Sequence, residues 1–151
     1  MEKKFNMAYQ LKQLEGQYFT QSHSKAGQWL HYKILRVQDG EVEVSLSVRE
    51  EMTNPSKMLH GGMAAMICDE ICGLAFYSTQ SETFYTTVNL SIDYLWSAPI
   101  GSTIFALGKV IRKGKKIANT ECTIYDEHRN IIVHAKSNLL NTEKPSFQLA
   151  L

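Results

Sequence analysis

The sequence predicts an α+β fold in which an antiparallel β-sheet wraps round one long central helix. Two observations carry that expectation. Residues 63–78 place Met63, Ala64, Ala65, Met66, Ile67, Ile71, Leu74, Ala75 and Phe76 on nearly every side of a helix, which suits only a buried one. From Phe84 onward the apolar period drops to two, and four alternating segments follow with turn signals between them.

Each element has its own local justification. Phe5, Ala8, Tyr9, Leu11 and Leu14 stand near helical spacing and predict a short amphipathic helix whose job is packing. Trp29 to Val37 reads as a strand, Asp39-Gly40 as a hairpin turn, and Glu41 to Val48 as the returning strand with Val42, Val44, Leu46 and Val48 on one face. The helix over 63–78 comes next. Phe84 to Leu95, Thr103 to Ile111, Lys116 to Tyr125 and Asn130 to Leu140 are the four later strands, punctuated by Ala98-Pro99-Ile100-Gly101, Lys113-Gly114 and Asp126-Glu127-His128-Arg129-Asn130. Residues after Asn141 read as a loose tail, and the 151 residues as one domain.

Bulk composition narrows the function classes. A 44% hydrophobic share supplies a core, and a formal net charge of +1 gives no field for nucleic acid or an acidic membrane. The start of the chain, Met1-Glu2-Lys3-Lys4 leading into a polar segment, has no signal-like apolar region, so a cytoplasmic protein is expected. Cys68, Cys72 and Cys122 are too few for a disulfide framework. Cys68 and Cys72 stand four apart on the helix, but no further Cys/His cluster follows, so small buried thiols are expected and no metal.

The chemistry concentrates in one segment. Asn54-Pro-Ser-Lys-Met-Leu-His60-Gly61-Gly62 leads into the central helix, and two glycines there let a ligand approach the unpaired N–H groups and the positive end of the helix dipole. That is how an oxyanion is held. Asp69 lies about 11 Å along the axis from Gly62 at about 1.5 Å per residue, so one helix cannot bring both to one reacting atom. If both serve the same reaction, the carboxylate comes from a second copy of the chain. Asp69 shares its face with Gly62, Ala65, Met66, Cys72, Gly73 and Phe76, mostly small residues that leave room for a ligand or a sister helix. Residues alone equally allow a helix carboxylate leaning into solvent.

His60 followed by two glycines, Asn54 before it and Asp69 nine residues after it resemble the hotdog-fold acyl-CoA thioesterases of the PaaI type. The similarity covers roughly Trp29 to Asn141, including the polar strand Thr86 to Tyr94 and the turn from Gly108 to Lys116. The resemblance implies a hotdog fold, a homodimer or homotetramer, and hydrolysis of an acyl-CoA with no cofactor beyond the CoA of the substrate. It implies carbonyl polarisation at Gly61 and Gly62, a supporting His60, Asp69 as base or nucleophile, and Asn54 and Thr87 positioning water. Each has a plainer alternative: His60 as a helix cap, Asn54 as a turn former, Thr87 as one of the polar positions Thr87, Asn89, Ser91 and Asp93 of a half-exposed strand. Glu70 points about 100° away from Asp69 and is expected in a structural hydrogen bond or at an interface. Arg112, Lys113, Gly114 and Lys115 form a basic turn suited either to solvent or to the phosphates of CoA. Phe76, Tyr77, Phe84, Tyr85, Tyr94 and Trp96 fit the core, and an aryl pocket is the other use for them. Two rivals remain: a hotdog dehydratase or hydratase, which makes His60 essential, and a non-catalytic acyl-CoA-binding protein.

Overall fold

The computed structural model describes residues 7–147 and 149. Three helices, α1 (Met7–Gln13), α2 (Lys25–Leu30) and α3 (Gly61–Tyr77), accompany six strands: β1 (Lys33–Gln38), β2 (Glu41–Ser47), β3 (Thr83–Tyr94), β4 (Thr103–Lys113), β5 (Ile117–Tyr125) and β6 (Ile131–Pro145). Every pairing is antiparallel, and the strands lie in the order β1-β2-β4-β5-β6-β3. Against the concave face sits α3, touching β2 through β6. Its Ile67 and Ile71 are fully buried between helix and sheet, and truncating either to alanine should cost about 2–5 kcal/mol. Among the described residues no helix is long and apolar enough to cross a membrane.

Four features differ from the sequence reading. Trp29 and Leu30 belong to α2, because the Ser24 side chain caps the helix by accepting from the Gly27 N–H at 3.0 Å and His31 closes it in a left-handed conformation. The strand therefore starts at Lys33. In α1, Met7 and Leu11 are buried while Tyr9 is exposed, and Phe5 lies outside the described residues. β6 runs to Pro145, four residues past Asn141, where Thr83 pairs with Pro145 and the Thr142 hydroxyl donates to the Phe84 carbonyl at 2.7 Å. Finally, β3 carries a bulge between Thr87 and Asn89. One extra residue reverses the alternation, so Thr87 turns toward α3 while Asn89, Ser91 and Asp93 face away and Leu90 and Ile92 pack on the core.

Candidate active site

Local chemistry places the first groups at the start of α3. His60 is the cap residue, and its Nδ1 accepts the Gly62 N–H at 2.9 Å, which fixes that imidazole nitrogen as an acceptor. Gly61 meets Tyr94: the phenol donates to the Gly61 carbonyl at 2.9 Å, and a Cβ on Gly61 would lie 3.2 Å from the ring. A side chain there would crowd the Tyr94 ring, which would have to shift by a few tenths of an ångström. The Asn54 side-chain Oδ1 accepts from the backbone N–H groups of Ser56 and Met58 at 2.9 and 3.2 Å, which is the turn-forming use of asparagine.

Two turns further along α3, Asp69 is exposed, and its Oδ1 accepts the Thr87 hydroxyl at 2.7 Å. The bulge in β3 is what aims Thr87 at that carboxylate. Gly62, Asp69 and Gly73 form an open strip on the helix, whereas Cys72 and Phe76, expected on the same face, are buried. The strip is therefore narrower than the sequence suggests. All three cysteines are buried and free, and burial pushes the Cys72 thiol up to about 12, far from a reactive thiolate.

A cavity of about 450 Å³ opens beside Asp69 and Thr87. Phe19, Phe76, Tyr77, Phe84, Tyr85 and Phe147 supply its aromatic walls. Four of these are the aromatics weighed for an aryl pocket, but Tyr94 and Trp96 are exposed at 56% and 70% and lie outside it. Glu70 also lines the cavity, and there its Oε1 accepts from the Tyr32 hydroxyl at 3.1 Å and the Ser22 hydroxyl at 3.4 Å. Burial raises the Glu70 carboxyl above its ordinary value, with the hydroxyls of Ser24, Tyr32 and Ser22 pulling the other way. Ser22 and Tyr32 stand 48 and 38 residues from Glu70 in sequence, and no local pattern links them to it.

The basic turn sits behind one wall of the same cavity. Tyr85 donates to the Gly114 and Lys115 carbonyls, each at 3.0 Å, and Lys113 donates to the Thr79 carbonyl at 2.9 Å while lying over the Phe76 ring. Arg112, Lys113 and Lys115 are exposed. Thus Asp69 and Thr87 border one cavity and the basic turn lies behind its Tyr85 wall, while Asn54 and the His60-Gly61-Gly62 turn stand at the far end of α3.

The model of the thioesterase superfamily matches residues 57–133, the stretch that holds His60, Asp69 and Thr87. The chain belongs to this superfamily. It is 33% identical to human acyl-coenzyme A thioesterase 13 over 81 residues, 54% of this chain and 58% of that protein. The chain thus matches less than two thirds of the length of that curated relative. Among solved structures, a Streptococcus mutans protein with acetyl CoA bound is 25% identical, with a TM-score of 0.71 over 76% of this chain and 91% of that one. The E. coli PaaI protein of the phenylacetic acid degradation operon superposes with a TM-score of 0.79 at 18% identity, over 93% of this chain and 97% of that one, and shares the fold. The superfamily member described here therefore has the hotdog fold: a six-stranded antiparallel sheet packed on one helix of 17 residues.

Proposed function

We propose that this protein hydrolyses an acyl-CoA thioester to the free acid and CoA. The observation that carries the reading is the Thr87–Asp69 hydrogen bond of 2.7 Å at the mouth of an aromatic cavity. A carboxylate held by a hydroxyl beside an apolar pocket is equipped to take a proton from water, or to attack a carbonyl itself, while the acyl group lies in the pocket. In the water route, the water oxygen attacks the thioester carbon and its proton passes to the Asp69 carboxylate. The C–S bond then breaks and the proton leaves with the CoA sulfur.

Polarisation of the carbonyl comes from a second subunit, because Gly61 and Gly62 stand at the far end of the helix that carries Asp69. The Gly61 N–H is the donor in this reading, since the Gly62 N–H is held by His60. Such a donor is worth about 3 kcal/mol of the barrier. The reading therefore requires a homodimer, alone or within a tetramer, with Asn54 beside the polarising turn. Arg112, Lys113 and Lys115 meet the CoA phosphates, with Gly114 held in place behind them by Tyr85. Capping by His60 Nδ1 gives that imidazole a structural task and works against a dehydratase in which it is the base.

The test is thiol release from short, medium, long and aryl acyl-CoAs by the native chain and by Asp69→Asn. Turnover lost on substitution supports the reading, and an inert native chain refutes it. A single turnover in ¹⁸O water tests the routes: label in Asp69 requires an anhydride opened by water at the aspartyl carbon, whereas the general-base route puts the label in the released acid alone.

A further inference from the structure

The two glycines that open α3 are gripped by side chains from two directions. The Gly61 carbonyl accepts the Tyr94 hydroxyl at 2.9 Å, and the Gly62 N–H donates to His60 Nδ1 at 2.9 Å. These groups are the opposite poles of one planar peptide unit, so the two side chains together fix its orientation. Space for both grips exists because neither residue has a Cβ: one on Gly61 would lie 3.2 Å from the Tyr94 ring, and one on Gly62 3.1 Å from the His60 imidazole. The preceding peptide is held at its oxygen, where the His60 carbonyl accepts the Ala64 N–H at 3.0 Å. Its N–H is that of Gly61, the donor of the proposed hydrolysis. Two consecutive glycines otherwise leave the backbone wide conformational freedom, and the capping histidine alone secures only one pole.

We propose that Tyr94 is a positioning residue for the thioester carbonyl: its hydroxyl, bound to the Gly61 carbonyl, aims the Gly61 N–H at the developing oxyanion. The proposal rests on reading Gly61 as the polarising donor. Such a donor is effective when its direction is set before charge develops, and a small misplacement of reacting groups costs a large factor in rate. Tyr94 is the last residue of β3 and follows Leu90 and Ile92 on the face turned to the core. The same strand carries Thr87, whose hydroxyl binds Asp69. One strand therefore supports both halves of the chemistry, about 23 Å apart at about 3.3 Å per residue. At one end it holds the carboxylate of its own chain, and at the other the turn that serves the carboxylate of a second copy.

The experiment compares the native chain with Tyr94→Phe, which keeps the ring against Gly61 and removes only the hydroxyl. Thiol release is measured from butyryl-, octanoyl-, palmitoyl- and benzoyl-CoA at several protein concentrations. On the ester hydrolysed fastest, kcat should fall about tenfold with KM changed by less than about threefold, equally at every protein concentration. A residue needed only for assembly gives instead a loss that recovers as protein concentration rises. The second readout is the infrared band of the bound carbonyl. In the Asp69→Asn protein, the same ester labelled with ¹³C at its carbonyl should absorb below its frequency in water, because the Gly61 N–H polarises it. Adding Tyr94→Phe should return the band toward the frequency in water. A purely structural contact leaves the band in place, since only folded protein binds the ester. A fall in kcat smaller than about threefold, a loss restored by concentration, or a band that Tyr94→Phe does not move overturns the proposal. Thiol release that survives Tyr94→Phe in this way refutes the role of Tyr94 alone, whereas a native chain inert on all four esters refutes the hydrolysis and this role with it.

Discussion

The two edges of the sheet are built differently. β1 is six residues long, and the chain before it closes its outer side: the Gly16 N–H donates to the Ile34 carbonyl at 2.8 Å, the Ile34 N–H to Gln17 at 3.0 Å, and the Phe19 N–H to Tyr32 at 3.0 Å. Glu15 completes the cover by accepting the Val37 N–H at 2.8 Å. β3, at the opposite edge, is twelve residues long, pairs on one side only among the described residues, and exposes Val88 at 52% and Tyr94 at 56%. A long, uncovered edge with apolar side chains is normally a liability that a chain blunts. Leaving it open beside Asp69 and Thr87, while the other edge is closed with care, fits a strand kept for a second copy of the chain at the point where the proposed chemistry needs one.

The largest effect should come from the residue beside the open edge. Asp69→Asn is expected to lower kcat by about two to four orders of magnitude with assembly unchanged, read from thiol release and sedimentation. Full assembly with lost turnover would separate chemistry from docking. Charging the edge itself comes next. Val88→Lys should dissociate the proposed dimer in sedimentation velocity and lower activity by about tenfold at dilute protein, with recovery as concentration rises. An oligomer that survives the substitution would place the partner on another surface. At the closed edge, Glu15→Ala removes only the bond to Val37 and should cost about 1 kcal/mol in chemical denaturation, with assembly and turnover intact.

The edges also mark where sequence stops being informative. The central helix and the four later strands were legible because burial on all faces and a period of two are local signals. So was the turn at Asp39-Gly40. α2 was not, because six residues carry too little periodicity to compete with the apparent strand from Trp29; Ser24 as a cap was the available cue. Which strand lies at an edge depends on the order of pairing, a tertiary property no segment records. Asp69 and the His60-Gly61-Gly62 turn at the other end of α3 emerged as candidates from spacing and family resemblance. Their link to Thr87 depended on a bulge that pattern reading cannot place, and the alternation of Thr87 with Asn89, Ser91 and Asp93 suggested the wrong grouping.

The smallest expected effect concerns the tie between the closed edge and α3. Tyr32 precedes β1 directly and donates to Glu70, so this carboxyl helps to fasten the covered side of the sheet to the helix. Its folded pKa is raised, chiefly by burial and least by the charge of Asp69, so the folded protein holds the proton more tightly than the unfolded chain does. Its contribution to stability is therefore fully present below the unfolded carboxyl range and is lost as pH rises through the folded value. Glu70→Gln keeps the acceptor and removes the ionisation. Thermal midpoints taken from pH 4 to pH 8 should show the native chain losing ground steadily to Glu70→Gln as pH rises, with the difference levelling off once the carboxyl is fully ionised. A native chain that instead gains on the variant would mean that the three hydroxyls around Glu70 outweigh its burial and hold it as a stabilised carboxylate.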